Sequence, residues 1–307
     1  MSTGSVLRRA YGAIHSRSLT AVDESSRSIR CGVVAPFFDA AETADAAALA
    51  EQHGWDGIFL AEAVWGVDAW IALTAAALKT QRIRLGTMLT PIARMKPWDL
   101  ASKVATLDRL SNGRVQLSVG LGALHPGWTA FERATPRHQR VELLEEGLAV
   151  YDGLMRGQPF SFEGRHYRVE PTDFFPPDPP VQKPRVPVWV VGASPSRRSL
   201  LRAARWDGLI PNIVTDGGAR GPASPEELRG IVDEIMSMGG EMRDAHSRFD
   251  VIAEGTTPAV DHGAAVNQVD QWRDGGATWW IESDWTVGLD DSGRAKLHAR
   301  IEAGPPR

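Results

Sequence analysis

The clearest polar chemistry in the sequence lies in a run of small and basic residues that joins an apolar stretch to a predicted helix. Its members are Gly192, Ala193, Ser194, Ser196 and Arg197. Backbone N–H groups at a helix N-terminus attract anions, and serine hydroxyls and a guanidinium bind phosphate oxygens directly. The run therefore predicts a phosphate-binding turn. The alternative is an ordinary turn in which Ser194 caps the helix and the arginine side chains face solvent.

A second candidate feature is the apolar run 86–92, at the end of another predicted strand. Its residues Met88, Leu89 and Thr90 would form a shelf that supports one face of an organic ring system. The alternative is that these side chains only pack in the core of the fold.

These residues need a scaffold that brings strand ends together, and the hydrophobic pattern predicts one. From Ile29 onward, apolar strands alternate with helices about eight times. Strands with little polar alternation are buried on both faces, which indicates a parallel sheet surrounded by helices. The sequence therefore predicts an α/β fold, a (β/α)8 TIM barrel. An open doubly wound sheet is the alternative, although no GxGxxG follows the first strand.

The domain organisation follows from the part of the chain in which strands and helices alternate. Residues 1–28 are rich in Ser and Arg and are predicted to form a disordered tail, with a transit peptide as the alternative. Residues 29–307 are predicted to form one barrel domain. Within it, residues 158–185 interrupt the alternation of strands and helices. This insertion lies between the fourth helix and the fifth strand and is predicted to contain a hairpin and a proline-rich connector.

Composition excludes several classes of function. The net charge is -4 and the sequence pI about 6.1, so a broad nucleic-acid-binding surface is not expected. No apolar run approaches the ~20 residues of a membrane helix. The single cysteine, Cys31, excludes an internal disulfide framework and a Cys-rich metal site, and no HxH or HExxH motif is present. We expect a cytoplasmic protein without a metal, a nucleic-acid partner or a membrane partner.

In such barrels the chemistry lies at the C-terminal ends of the strands. Few ionisable residues fall there, and an organic cofactor that carries the chemistry suits such a rim. The aromatic residues predicted to line a substrate or ring pocket are Phe37, Trp65, Trp128 and Trp285.

Four stretches of the chain resemble the luciferase-like monooxygenase superfamily. They are 54–62, 83–97, 105–122 and 160–167. The most specific is a Leu-Asp-x-Leu-Ser-x-Gly-Arg run that ends at Arg114 and precedes a Gly-x-Gly strand end. The resemblance covers about Ile29 to Ile301 and implies a flavin- or deazaflavin-dependent oxidoreductase on a (β/α)8 barrel.

The resemblance also implies positions for the cofactor. The ring would lie over the end of the third strand, beside a non-proline cis peptide at Met88–Leu89. The phosphate would lie at the fourth and fifth strands, at Gly120 and at the turn from Gly192 to Arg197. The insertion 158–185 resembles a variable segment that shapes the substrate side.

The sequence departs from the family at a position that carries a proton-transfer residue. Many relatives have a histidine directly after the acid of the second strand, whereas here Ala63 follows Glu62. The acid–base role is therefore open, and Glu62 and His125 are the two candidates for it.

The resemblance favours an oxidoreductase that uses reduced FMN and O2 to oxygenate a small organic substrate, with a flavin reductase as a partner. One alternative is hydride transfer with the deazaflavin coenzyme F420. Another is a flavin-binding homologue without turnover, which the missing histidine motivates. A phosphosugar enzyme with the same phosphate turn is a third. Because relatives often pair, a homodimer is also an expectation.

Overall fold

Eight parallel strands close into a barrel in the computed structural model of this chain, which describes residues 28–36, 38–122, 126–172, 178–215, 220–239, 249–286 and 290–307. The barrel strands are β1 (Arg30–Val34), β2 (Gly57–Leu60), β3 (Arg84–Thr87), β5 (Val115–Gly120), β8 (Val188–Ser194), β9 (Gly208–Val214), β11 (Asp250–Gly255) and β12 (Trp279–Glu282). Each strand pairs in parallel with the next, and β12 closes the ring on β1. The predicted barrel is confirmed, and the open sheet is wrong.

Helices separate the strands and cover the barrel. They are α1 (Ala40–Gln52), α2 (Ala69–Lys79), α3 (Pro97–Leu110), α4 (Pro126–Thr129), α5 (Arg137–Arg156), α6 (Arg197–Ala204), α7 (Pro225–Gly239), α8 (His262–Asp274) and α9 (Asp291–Glu302). Side-chain caps fix several starts: Asp39 forms a capping box with Glu42, and Asp68 accepts from two N–H groups of α2. The short strands are β4 (Thr90–Pro91), β6 (Phe160–Glu163), β7 (Arg168–Thr172) and β10 (Arg220–Gly221).

The barrel interior is filled by side chains and does not form a pore. Its members are Val34, Phe59, Met88, Trp189, Ile210, Ile252, Trp279 and Ile281. The Phe59 and Trp189 rings stack at 5.5 Å between centroids, and Trp279 meets both rings edge-on. Met88 is the member that comes from the C-terminal end of the third barrel strand, so this core forms the floor beneath the barrel mouth.

The described part of the insertion, 158–172 and 178–185, contacts α5 and the start of β5. In its hairpin, Phe160 packs on Gly153 of α5, and Glu146 of α5 accepts from backbone N–H groups at the turn. In its connector, Gln182 donates to the Val115 carbonyl, at the N-terminal end of β5. The described part of 158–185 therefore covers the outer face and the lower end of the barrel, because its turn and connector find their hydrogen-bond partners there. The expectation that it shapes the substrate side is not supported by these contacts.

The Leu-Asp-x-Leu-Ser-x-Gly-Arg run builds the scaffold. Its buried Asp108 accepts from the backbone and the side chain of Gln182, at 3.0 and 2.8 Å. Its buried Arg114 ties the start of β5 to the end of α2 and to the residues before β3. This motif lies at the end of the barrel opposite the mouth, so it holds strands in place and does not contact the candidate site.

Two expectations from composition concern classes of site. Within the described ranges, no helix is both long and apolar enough to cross a bilayer. The same ranges contain no group of three or more His, Cys, Asp or Glu side chains placed to hold a metal ion. Apart from Ser28, the tail predicted for 1–28 lies outside the described residues.

Candidate active site

A cleft of about 290 Å³ opens at the barrel mouth above β2 and β3. Residues from several strand ends line it: Ala61, Glu62, Val64, Met88, Leu89, Pro91, Arg94, Gly122, Trp128 and Trp285. Small-molecule pockets span roughly 300–1,000 Å³, so this cleft accommodates a ring system and not a whole nucleotide-sized cofactor. Five residues predicted from the sequence meet here, namely Glu62, Met88, Leu89, Trp128 and Trp285.

The shelf at the floor of the cleft has the predicted backbone. The Met88–Leu89 peptide is cis, as the resemblance implied. Thr90 is fully buried, and its hydroxyl bonds to that of Thr87 at 2.8 Å. Thr90 therefore supports the shelf from below, while Met88 and Leu89 present the apolar surface.

Gly120 lies beside the same shelf, where the absence of a side chain leaves space for Leu89. A Cβ at this position would lie 2.9 Å from Leu89 Cδ2 and 3.1 Å from Val191 Cγ2. Both distances are shorter than ordinary van der Waals contact, so a larger residue would displace Leu89. Gly120 thus positions the predicted shelf, and it stays a predicted cofactor-binding residue.

Glu62 is the acid–base candidate that the structure places in the cleft. Its Oε1 accepts from the Trp70 indole N–H, and its Oε2 is buried with no hydrogen-bond partner among the described residues. Burial raises the pKa of the Glu62 carboxyl from 4.5 to about 7, although the Trp70 N–H and the Thr90 hydroxyl oppose this effect. A carboxyl at a cleft with a pKa near neutrality is suited to proton transfer.

The raised pKa of Glu62 predicts a pH dependence of stability. The folded chain holds this proton more tightly than the unfolded chain, so the free energy of unfolding falls as pH rises from about 4.5 through 7. A rise in pKa from 4.5 to about 7 corresponds to ~3 kcal/mol. We expect Glu62→Gln to flatten this decline, and urea denaturation at pH 5, 7 and 8.5 measures it. A variant with the same pH slope as the wild type would show that Glu62 ionises freely.

Trp128 forms one wall of the cleft between two arginines. It is 2% exposed, its N–H donates to Glu132, and the guanidinium carbons of Arg94 and Arg140 lie 4.8 and 5.7 Å from its ring centroid. Arg140 donates to the carbonyls of Leu121 and Gly122 and holds the loop after β5. Sequence reasoning missed Arg94, although a basic residue in the apolar run after the third strand was a visible signal.

Other predicted site residues lie elsewhere. Phe37 and His125 fall outside the described residues. The Trp65 side chain is 83% exposed and does not line the cleft. The Trp65 position is set by a loop conformation that the hydrophobic pattern does not specify.

Glu254, which lies at the end of the seventh barrel strand, is a second buried carboxyl at the mouth. The Ser283 hydroxyl donates to its Oε2 at 3.4 Å. Burial raises the pKa of Glu254, while Trp285 and Ser283 act against that rise as donors. Because Trp285 lines the cleft, Glu254 stabilises the wall on that side. The burial of Glu254 depends on Ser283 and Trp285, which come from the next strand end, so a local sequence pattern does not reveal it.

The predicted phosphate turn has a different geometry from the one expected. The helix begins at Arg197 and not at Pro195, and the Ser194–Pro195 peptide is cis. Ser196 is the N-cap and its side chain makes no capping bond, so the alternative in which Ser194 caps the helix is wrong. The Ala193 N–H is occupied, since it donates to Ser199 Oγ at 2.9 Å.

Gly192 has a packing role at this turn. A Cβ there would lie 2.3 Å from Leu209 Cδ1 and 3.2 Å from Leu200 Cδ2. What remains for an anion is the exposed part of the turn: the Ser196 hydroxyl, the Arg197 side chain and the first N–H groups of α6. Ser194 is half-buried at the end of β8 beside them.

Arg197 provides a direct test of phosphate binding at this turn. We expect Arg197→Ala to weaken FMN binding by ~1.5–3 kcal/mol, because a charge-assisted hydrogen bond is lost. Riboflavin, which has no phosphate, is the control ligand, and its affinity should not change. Fluorescence titration with both ligands measures the difference. Equal effects on FMN and riboflavin would remove Arg197 from phosphate binding.

A larger cleft of about 470 Å³ lies at the opposite end of the barrel. Four arginines line it, and two of them form ion pairs: Arg307 with Asp56 at 2.6 Å, and Arg30 with Asp250 at 2.5 Å. Active sites of such barrels lie at the C-terminal ends of the strands, so we assign this lower cleft to the scaffold.

Comparison with known proteins identifies the family. The profile of the luciferase-like monooxygenase family matches residues 16–277, which is more than half of the chain. The chain therefore belongs to this family, whose members are oxidoreductases.

Individual relatives differ in the cofactor and the reaction that their names give. The F420-dependent glucose-6-phosphate dehydrogenase of Microbacterium testaceum is 30% identical over 241 residues, which cover 75% of this chain and 68% of that protein. The coenzyme F420 dependent tetrahydromethanopterin reductase of Methanopyrus kandleri has a TM-score of 0.72 at 16% identity, over 90% of this chain and 97% of that one. The monooxygenase RslO1 of Streptomyces bottropensis has a TM-score of 0.67 at 17% identity, over 90% and 98%. The two structures share the fold with this chain.

Proposed function

We propose that this chain is an oxidoreductase that transfers a hydride between an organic substrate and coenzyme F420 bound at the barrel mouth. The observation that carries the proposal is the meeting of an apolar shelf, Met88 and Leu89, with the buried carboxyl of Glu62 in one cleft. The F420-dependent relative supports the deazaflavin over the FMN that the resemblance alone favoured.

The residues present fit such a cofactor. Met88 and Leu89 offer a flat apolar face to a ring, and the buried Oε2 of Glu62 lacks the polar partner that a ligand would bring. The turn at Ser196 and Arg197 offers hydroxyl and guanidinium donors to a phosphate. Bound F420 would supply the hydride acceptor.

Glu62 would act as the base that accepts the substrate proton. When an alcohol is oxidised to a carbonyl, the C–H bond breaks and its electron pair leaves with the hydride, while the O–H proton must pass to a base. Oε2 of Glu62, which is buried at the cleft wall and has no hydrogen-bond partner among the described residues, is the oxygen that would accept it. Val64 and Trp128 give the cleft apolar walls, which would limit the access of water to this transfer.

A flavin-dependent monooxygenase is the second candidate, because RslO1 has the same fold over almost its whole length. The same cleft would then hold reduced FMN, and O2 would be consumed, with a flavin reductase as partner. A flavin-binding protein without turnover would bind the cofactor but consume nothing.

One experiment separates these functions. The chain is incubated with oxidised F420 and a panel of primary and secondary alcohols without O2, and in parallel with FMN, a flavin reductase, NADH and O2. We expect alcohol-dependent bleaching of the F420 absorbance in the first set. Substrate-dependent O2 uptake in the second set alone would favour the monooxygenase, and binding without turnover in either would favour the non-catalytic protein.

A further inference from the structure

We propose that Arg94 binds the anionic group of the substrate, so that the substrate of this cleft is an organic anion with an apolar body. Arg94 ends the short 3-10 helix Ile92–Arg94 that follows β4, and it lines the cleft together with Glu62 and Leu89. The hydride transfer to which this substrate would be subject rests on the proposed function, whereas anion binding depends only on the contacts of Arg94.

The Arg94 guanidinium has unused donors. Its side chain is 17% exposed, and its Nε is buried with no hydrogen-bond partner. Within the described residues, its charged partner is Glu132, at 3.5 Å between Nε and Oε1, and that same oxygen already accepts the Trp128 N–H. A guanidinium carries five N–H donors in a planar fork that matches carboxylate and phosphate oxygens.

Arg140, the second arginine that contacts Trp128, differs from Arg94 in its hydrogen bonds. Arg140 lies across the same ring, but it donates to two backbone carbonyls, of Leu121 and Gly122, at 3.1 and 2.8 Å. Arg140 therefore has a structural task that Arg94 lacks. The guanidinium carbon of Arg94 lies over the Trp128 ring at 4.8 Å from its centroid, and this contact holds Arg94 at the wall of the cleft.

The remaining lining defines the rest of the ligand. Apart from Glu62 and Arg94, the side chains around the cleft are apolar or aromatic. Glu62 and Arg94 are not paired with each other: Glu62 accepts from Trp70, and the ion pair of Arg94 with Glu132 is long, at 3.5 Å. A polyhydroxylated body would leave hydroxyl groups unpaired against Val64 and Trp128, whereas a flat apolar body would not. The anion would be held at Arg94 while the reacting carbon lies near Glu62.

The test is calorimetric titration of small anions and their neutral counterparts into the full chain. The probes are benzoate against benzamide, and phenyl phosphate against phenol, each with and without saturating F420. We expect the wild type to prefer each anion by about tenfold or more, and Arg94→Gln to abolish that preference. Arg94→Lys, which keeps the charge but not the fork, should retain part of it. Arg133→Gln, an exposed arginine beyond the cleft, should retain all of it.

Two results would overturn the proposal. One is an anion preference that is absent in the wild type or unchanged in a folded Arg94→Gln. The other is a loss of affinity in Arg94→Gln for F420 and FMN but not for their dephosphorylated cores, which would assign Arg94 to the cofactor tail. Failure of the wild type to bind either cofactor would refute the proposed function, while the titrations without F420 would still report on Arg94.

Discussion

Glu62→Gln is expected to lower kcat/KM for alcohol oxidation by about 10²–10⁴-fold, which is the usual contribution of a positioned acid or base. The amide keeps the size of the side chain and can still meet the Trp70 indole, but it cannot accept a proton. In the wild type, kcat/KM should rise with pH and level off above about 7, because the ionised carboxylate is the base and the pKa of Glu62 is about 7. This inflection should be missing in the variant.

A second variant makes the assignment specific. The Trp70 N–H donates to Glu62 Oε1 and holds the pKa of that carboxyl below the value that burial alone would give. Trp70→Phe should therefore move the inflection to higher pH while retaining much of the maximal rate. If Glu62→Gln kept activity within about threefold of the wild type, or if Trp70→Phe left the pH profile in place, Glu62 would not be the proton-transfer residue.

Arg114→Met is expected to destabilise the fold by ~3–5 kcal/mol. The guanidinium is buried and donates five hydrogen bonds, to the carbonyls of Ser111, Ile83, Ala77 and Thr80 and to the Thr80 hydroxyl. Methionine fills a similar volume but leaves these buried acceptors without donors. The free energy of unfolding, obtained from urea denaturation, measures the loss.

Arg109→Met is the matched control for this loss. Arg109 belongs to the same sequence motif but is only half-buried, and its hydrogen bond to the Asp178 carbonyl is solvent-accessible. We expect a change below about 1 kcal/mol. A similarly small change for Arg114→Met would contradict the scaffold role given to the motif.

The barrel could be predicted from the sequence because its signal is local and repeated. Helices such as α2 and α5 are visible in the sequence, because Asp68 caps the start of α2 and an apolar periodicity runs through α5. The shelf at Met88–Leu89 was accessible through the family resemblance, which located the cis peptide. Glu62 was accessible because strand ends carry the chemistry of such barrels.

The rest of the site depends on tertiary contacts that no local pattern encodes. Trp70 lies within a helix and carries no sequence signal of a site, yet its N–H is the partner of Glu62, eight residues earlier. The Ala193 N–H looked available to a phosphate, but Ser199 occupies it from the next helix turn. The position of the Arg94 side chain at the cleft depends on its contacts with Glu132 and Trp128, which come from a different part of the chain.

The account rests on a ring-shaped cofactor lying on the Met88–Leu89 shelf, and anaerobic titration of oxidised F420 into the wild type and Leu89→Trp tests it most directly. We predict saturable micromolar binding to the wild type, and at least tenfold weaker binding to the variant, whose indole would fill the cleft. Glu62→Gln, which leaves the shelf intact, should bind F420 nearly as the wild type does. Absence of binding to the wild type at high micromolar F420 and FMN, or unchanged affinity in Leu89→Trp, would contradict the assignment of this cleft.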